Sequence, residues 1–465
     1  MSKIYNFGAG PAKMPEEVYE IMRKELTNFD GSGISLLETS HRTKAYMQFN
    51  TEVQNVVRRL LDVPANYKIL FMAGGGTGEF AAVPLNLMSR TGTADYVVTG
   101  DWSAKAAKEA KKYGKVNMVL PPTDRYVGIP DQSEWNLDPN ASYVHICTNE
   151  TIHGVEFDFI PDTKGVPLVA DMSSNIMSKK VDVSKEVGLA STAADEIILW
   201  HRRMGHLGVR NLMLLKNKMA DGLRAPVNQA VPLPLTDVTV EYDRVSTHHE
   251  EPEIPEEPGN PALENVEVED EVWESSDEGM KQILRMFGVI YAGAQKNIGT
   301  AGVCLVIVRE DLLNQALPIC PSLFDWTANA KADSILNTPP MFAIYVMGRV
   351  LQWVERNGGV EGMAKLAAKK ASLVYGAVEE SNGFYSVPVA KNARSKMNVP
   401  FRIGSPPNED LEKEFLKGAE ALGLIQLKGH RNVGGIRASI YNAVSVEEVE
   451  TLVKYMKDFQ NKYAK

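Results

Sequence analysis

Between Lys68 and Ala170 short apolar runs alternate with helix-length stretches, and this rhythm restricts the chain more than any other feature. Lys68–Met72, Tyr96–Thr99, Val116–Leu120, Tyr143–Cys147 and Pro167–Ala170 read as strands, with Glu79–Met88 and Trp102–Tyr113 as helices among them. Strands covered on both faces are apolar almost throughout, and helices crossing between them give a largely parallel sheet. The rhythm breaks off and then resumes with two β runs, Phe287–Tyr291 and Gly302–Val308. Pro15–Phe29, with proline near its start, and Lys44–Leu61 read as helices before the sheet; Phe342–Arg356 and Glu361–Glu380 read as helices after it. Strands near Val399–Ile403 and Ile436–Ser439, with helices near Asp410–Leu422 and Val446–Tyr463, predict a smaller C-terminal α+β domain. The fold class expected is therefore α/β, a large mostly parallel sheet domain plus a small second one. In such sheets ligands bind where strands end.

Residues 186–286 do not share the rhythm. Glu196–Gly222 is basic and helix-prone, and Glu250-Glu-Pro-Glu-Ile-Pro-Glu-Glu-Pro258 opens an acidic, proline-rich stretch whose composition predicts disorder. The formal charge of −9 is concentrated here: His248 to Gly279 holds 13 acidic residues and no Lys or Arg. Outside that window 46 of the 59 acidic residues remain, against 50 basic ones. A balanced body argues against nucleic-acid or membrane binding. No apolar run is long enough for a bilayer, Met1–Gly8 lacks a signal-peptide layout, and Cys147, Cys304 and Cys320 cannot all pair. A cytoplasmic protein is the expectation.

The chemistry centres on Tyr291-Ala-Gly-Ala-Gln-Lys-Asn297, where Lys296 follows a β run and a small-residue turn. A lysine held there can face a cavity, and a desolvated amine condenses with aldehydes to a Schiff base; a solvated surface charge is the alternative. Gly74-Gly-Gly-Thr-Gly78 lies between a strand and a helix, where it is either a plain turn or an anion site built from helix N–H groups. Its spacing matches neither a Walker loop nor a dinucleotide fingerprint, so phosphate on a smaller cofactor fits better. Asp171 ends a strand, as a helix cap or as a carboxylate that keeps a cofactor ring nitrogen protonated. Trp102 is either core or a platform for a planar ring. His41-Arg42 and the cluster Lys428-Gly-His-Arg-Asn-Val-Gly-Gly-Ile-Arg437 are either a solvated basic surface or a set of carboxylate and phosphate ligands. Together these pieces ask for a phosphorylated aldehyde cofactor, a Schiff-base lysine and an anionic substrate.

Residues 3–185 and 287–463 resemble the phosphoserine aminotransferase family, class V pyridoxal-phosphate enzymes of the aspartate-aminotransferase fold. The motifs that carry the resemblance are Asn6-Phe-Gly-Ala-Gly-Pro11, Ser40-His-Arg42, Gly74–Gly78, Cys147-Thr-Asn-Glu-Thr-Ile152, Asp171-Met-Ser-Ser174, Tyr291–Asn297, Asn337-Thr-Pro-Pro340 and Lys428–Arg437. The resemblance implies that Lys296 holds pyridoxal 5'-phosphate and shuttles the proton, Asp171 pairs with the ring nitrogen, Trp102 stacks on the ring and Thr151 meets its hydroxyl. Gly76, Thr77 and Gln295 would hold the cofactor phosphate, joined by Asn337 and Thr338 from a neighbouring subunit. His41, Arg42, His430 and Arg431 would bind a substrate phosphate, some across a homodimer, and Arg437 the α-carboxylate. Thr77 stands where bacterial relatives often carry arginine. The implied reaction moves an amino group from L-glutamate to 3-phosphohydroxypyruvate, giving phosphoserine and 2-oxoglutarate. The implied domains are 1–185 with 287–357, residues 1–15 packing on the small domain, and 358–465.

The family passes directly from the equivalent of Val181–Lys185 to that of Phe287, so residues 186–286 are an insertion, and 364 residues remain without it. Within it Trp200-His-Arg-Arg-Met-Gly-His-Leu-Gly208 resembles the pre-integrase segment of copia-type retroelement polyproteins. That segment binds zinc with two histidines and a later CxxC pair; His201 and His206 are present but the insertion has no cysteine, so no metal is expected. Two other readings stay open: a catalytically impaired chimera whose insertion is an interaction segment, and a transaminase of the serine–glyoxylate type.

Overall fold

The computed structural model describes residues 3–179 and 287–464. The expected insertion at 186–286, with its retroelement-like stretch and predicted disorder, lies outside the described residues.

The strands are β1 (Tyr5–Asn6), β2 (Tyr67–Ala73), β3 (Thr93–Val97), β4 (Lys115–Met118), β5 (Val144–Cys147), β6 (Asn149–Glu150), β7 (Val155–Glu156), β8 (Leu168–Asp171), β9 (Phe287–Gly293), β10 (Val303–Arg309), β11 (Tyr385–Ser386), β12 (Asn398–Ile403), β13 (Leu424–Ile425) and β14 (Ile436–Ser439). The α-helices are α1 (Glu16–Glu25), α2 (Lys44–Leu61), α3 (Gly75–Leu87), α4 (Asp101–Ala110), α5 (Trp326–Lys331), α6 (Met341–Arg356), α7 (Gly359–Glu379), α8 (Glu409–Ala421) and α9 (Val446–Tyr463). Seven strands form the main sheet in the order β2-β10-β9-β8-β5-β3-β4. Only β10 runs against its neighbours; the remaining pairs are parallel, as the alternating sequence requires.

Successive residues of one strand go to different cores. Ile69 and Phe71 pack with α2 and α6 through Val53, Val56, Val57, Ile344 and Leu351. Leu70 and Met72 pack with α3 and α4 through Phe80, Val83, Ala106 and Ala110. β10 divides likewise, Leu305 and Ile307 to the first cluster, Val306 and Val308 to the second. This period-two division explains why the strands read as unbroken apolar runs. A further core joins β12 and β14 to α7, α8 and α9 through Phe401, Ile436, Val374, Phe415 and Met456. Phe7 belongs to it, beside the parallel pairing of Tyr5 with Leu424.

Three expectations shift. The helix predicted to begin at Glu79 begins at Gly75, so the glycine-rich stretch is its first turn rather than a loop before it. Gly74, between β2 and α3, sits at φ 101°, where a Cβ would lie 3.2 Å from the Gly78 Cα. The helix expected to reach Phe29 stops at Glu25, and the short α5 was not foreseen.

Lys370 of α7 is buried with its amine donating to the carbonyls of Tyr441 (2.6 Å) and Val444 (2.8 Å). Burial pulls it from the ordinary 10.5 down to about 7, the Glu448 charge working upward and Lys13 downward. Between those values the unfolded chain binds a proton that the folded chain does not, so this group makes stability rise with pH across the window. Below pH 7 both states are protonated and its contribution is flat. Urea midpoints measured between about pH 7 and 9.5 should climb in the wild type relative to Lys370→Met. Parallel profiles would assign the slope to other groups.

Candidate active site

The site forms where β5, β8 and β9 end beside the start of α3. Asp171, the last residue of β8, pairs in register with Tyr291 of β9, although residues 172–286 separate the two strands in the chain. Its carboxylate is buried, and Oδ1 accepts the Ser173 N–H at 2.9 Å. The Thr148 N–H and hydroxyl both donate to the Asp171 carbonyl at 3.0 Å, fixing the strand end to the β5–β6 corner. The Ser173 hydroxyl accepts the Gly293 N–H at 2.9 Å and so ties the end of β9 to the turn after β8.

Past Gly293 the chain turns and presents Lys296. Its Nζ donates to Thr151 Oγ1 at 2.7 Å and lies 5.0 Å from the centre of the Trp102 ring. Burial lowers its proton affinity; Asp171 is the largest opposing influence, Glu150 works the same way, and Arg437 adds to the lowering. The result is an amine closer to neutrality than a surface lysine, which is what a nucleophile needs. Cys147 and Cys304, buried nearby, have thiols pushed well up by desolvation and behave as core residues.

Thr151 lies in the turn of the β6–β7 hairpin, and its carbonyl accepts from Arg437 Nη1 at 3.3 Å. Arg437 stands on β14, half-buried, and burial is the main cause lowering its proton affinity. Among the described residues no carboxylate forms an ion pair with it, so a desolvated guanidinium faces the site without a counter-charge. His430, in the loop before β14, is drawn down by burial and by Arg437, while Asp101 works upward. Arg431 beside it is exposed.

The first turn of α3 closes the other side. Among the described residues no acceptor meets the N–H groups of Gly75, Gly76 or Thr77, and Gly74 offers no side-chain cap. A Cβ at Gly75 would meet nothing within 4 Å, and one at Gly76 only the Ser173 hydroxyl at 3.5 Å, so the backbone is open to an incoming group. Free N–H groups at a helix start, with its positive dipole end, form an anion site. The Gln295 carbonyl accepts the Ala12 N–H at 2.9 Å, holding the N-terminal segment against the lysine turn. Among the described residues Trp102 Nε1 is buried without a hydrogen-bond partner. The amine, the Asp171 carboxylate at the strand end, the aromatic face and the helix N-terminus thus suit a planar, phosphorylated aldehyde carrying a ring nitrogen.

Of the residues singled out in the sequence, Lys296, Asp171, Thr151, Trp102, Gly76, Thr77, Gln295, Arg437 and His430 gather here, with Arg431 at the rim. His41 and Arg42 do not; they lie on the segment leading into α2, with no hydrogen bond to the Lys296 group among the described residues. Asn337 and Thr338 are likewise exposed, joined to one another by Asn337 Nδ2 on the Thr338 carbonyl at 3.1 Å. Sequence reading missed Glu150, Ser173, His153 and Asn432. Glu150 and Ser173 sit inside quoted motifs, Cys147–Ile152 and Asp171–Ser174, but nothing local reveals what their side chains meet. His153 Nε2 lies 3.9 Å from Asp101, which also accepts from Asn432 Nδ2 at 2.6 Å.

Comparison with known proteins gives consistent matches. The aminotransferase class-V family model matches residues 4–189 and 278–452, leaving 190–277 outside. A phosphoserine aminotransferase of Drosophila melanogaster is 47% identical over 458 residues, 98% of each chain, and one of Janthinobacterium sp. (strain Marseille) is 40% identical over the full length of both. Among solved structures, phosphoserine aminotransferase from Bacillus circulans subsp. alkalophilus superposes with a TM-score of 0.75 at 35% identity, covering 99% of each chain. PLP-bound phosphoserine aminotransferase from Trichomonas vaginalis gives 0.73 at 32% identity, over 98% of this chain and all of that one.

Proposed function

Because the chain belongs to the class-V aminotransferase family, we propose that it is a phosphoserine aminotransferase. It moves an amino group from L-glutamate to 3-phosphohydroxypyruvate with pyridoxal 5'-phosphate as cofactor. The observation that carries this reading is the Lys296 amine, held by Thr151 at 2.7 Å beneath the Trp102 ring and lowered in proton affinity by burial. Pyridoxal phosphate, when bound, supplies the electron sink that makes the substrate Cα–H acidic.

The chain's own residues supply the rest. Lys296 Nζ would carry the proton between the substrate Cα and the cofactor's aldehyde carbon, with Thr151 Oγ1 fixing its direction. Asp171 holds a proton on the ring nitrogen, the charge that strengthens the sink. The N–H groups of Gly76 and Thr77 bind the cofactor phosphate, with Gln295 alongside, and Trp102 covers the ring and excludes water. Arg437 binds the α-carboxylate, while His430 and Arg431 bind the phosphate of the substrate.

A second copy completes the site by bringing His41, Arg42, Asn337 and Thr338. Arg42 lines a concavity of about 470 Å³ with Lys44, Met47 and Gln48, and Leu37, Met47 and Leu336 leave apolar surface exposed on the same segments. Such patches mark association surfaces. The large domain is 1–185 with 287–357 and the small one 358–465. Three free thiols suit the cytoplasm, and no described helix is long and apolar enough to cross a membrane. Residues 186–286 are read as an insertion, which the gap in the family match at 190–277 supports; its retroelement origin rests on the Trp200–Gly208 resemblance alone.

The test is a glutamate–phosphohydroxypyruvate transamination assay on the full chain beside one lacking residues 186–286, with sedimentation of both. Equal activity in dimers is expected. Activity only in the shortened chain would make the natural one an impaired chimera, and equal use of unphosphorylated hydroxypyruvate would favour a serine–glyoxylate type enzyme. A fully active monomer would remove the second-copy residues from the site.

A further inference from the structure

Glu150 is completely buried at the end of β6, one residue before Thr151. Its Oε2 accepts the Trp102 N–H at 3.0 Å, and its Oε1 accepts the Ser103 N–H at 2.9 Å and the Ser103 hydroxyl at 2.6 Å. The Ser103 hydroxyl in turn accepts the N–H groups of Thr99 (3.0 Å) and Gly100 (3.1 Å). One carboxylate thereby organises the start of α4, where free N–H groups and the dipole favour an anion. The approach is so close that a Cβ at Gly100 would lie 2.3 Å from the Glu150 Cδ. The bond to the Trp102 N–H fixes the backbone from which its ring projects, and the residue after Glu150 holds the Lys296 amine at 2.7 Å. The carboxylate therefore grips the aromatic wall while its own chain grips the nucleophile.

We propose that Glu150 is a positioning residue that sets the Trp102 ring over the Lys296 amine and gives that amine a second negative neighbour besides Asp171. The inference rests on the pyridoxal-phosphate reading. Its two parts separate chemically, because glutamine keeps the shape and one acceptor but carries no charge, whereas alanine keeps neither. The electrostatic part rests on place and sign: Glu150 directly precedes Thr151, which holds the Lys296 amine, and its charge favours the protonated form of Lys296; desolvation raises the proton affinity of Glu150 itself, and the hydrogen bonds from Ser103 and Trp102 oppose that. The positioning part needs only the hydrogen bonds, so Gly100→Ala should reproduce it by pushing the carboxylate away while leaving its charge in the protein.

The experiment loads wild type, Glu150→Gln, Glu150→Ala and Gly100→Ala with pyridoxal phosphate and records visible circular dichroism and the pH titration of the bound chromophore. In Glu150→Gln the dichroism should stay near wild type while the titration moves about one unit to lower pH, since a nearby anion raises the affinity of a cation for its proton. In Gly100→Ala the dichroic amplitude should fall about twofold or more, and cofactor retention should weaken about tenfold, a loss of about 1.4 kcal/mol expected when one charge-assisted hydrogen bond is broken. Glu150→Ala should show both changes; if it does not fold, the other two variants carry the test. Wild-type dichroism in Gly100→Ala together with an unmoved titration in Glu150→Gln would overturn the proposal. Failure of the wild type itself to acquire a visible chromophore would instead overturn the cofactor reading, and this inference with it.

Discussion

Lys296→Ala is expected to lower the transamination rate by about 10⁴-fold, the upper end of what a positioned proton-transfer group contributes, and to abolish the visible absorbance due to the covalent link with the cofactor. That rate loss is about 5.5 kcal/mol of transition-state stabilisation. The argument is geometric first. The amine donates to Thr151 Oγ1 at 2.7 Å and lies 5.0 Å from the Trp102 ring centre in a desolvated position, whereas the Lys105 amine, 4.0 Å from the same ring, belongs to an exposed residue. Electrostatics then sets the amine's state. Burial, the largest influence, lowers the amine's proton affinity, and the Asp171 charge opposes it. The variant should still take up pyridoxal phosphate non-covalently, because the α3 N-terminus and Trp102 are untouched. Added small primary amines should restore part of the rate. The measurement is stopped-flow absorbance after mixing with glutamate; wild-type absorbance and rate in the variant would remove Lys296 from the chemistry.

Arg437→Leu should lower kcat/KM by about 100-fold or more for glutamate and for the keto acid alike. Truncating one partner of a buried, hydrogen-bonded charge pair costs about 2–5 kcal/mol, and the site has already desolvated this guanidinium. Among the described residues Arg437 donates only to the Thr151 carbonyl at 3.3 Å and has no ion-pair partner, so an incoming carboxylate meets a half-buried, partly desolvated cation. Both substrates carry a carboxylate beside the reacting carbon, hence the equal effect. Arg437→Lys should recover only part of it, because an ammonium cannot bind a carboxylate in bidentate fashion. Arg431→Leu should instead weaken only the phosphorylated substrate. Steady-state kinetics with each substrate varied in turn checks the pair. A loss confined to the phosphorylated substrate in Arg437→Leu would transfer this arginine to the phosphate.

Much of the fold was legible because burial leaves a local trace. Lys68–Met72 and Gly302–Val308 read as strands since each strand of a sheet covered on both faces needs apolar residues at every position. The glycine-rich stretch was legible as an anion site but misplaced as a loop, because glycine at Gly75, Gly76 and Gly78 argues against helix on propensity, while the tertiary contacts with Gly293 and Ser173 favour it. Lys296, Asp171 and Trp102 announced themselves through position at the ends of strands or the start of a helix. Glu150, one residue from a motif position already noticed, did not, since an acidic residue in a hairpin is ordinarily solvated and only the approach of α4 buries it.

The sequence by itself determined the layered α/β architecture, the order of its elements and the residue types available to the site, because periodicity and turn chemistry act over a few residues. Which side chains meet was decided only by the tertiary structure. Thr151 and Lys296 are 145 positions apart, and Thr151 and Arg437 286 apart, and each pair exists only because the ends of the central strands, the β6–β7 hairpin and β14 converge. The same convergence brings Asp171 opposite Tyr291 across the long intervening segment. Desolvation follows from that packing, so the lowered proton affinity of Lys296 and the unpaired charge of Arg437 are properties of the fold, with no counterpart in any short stretch of chain.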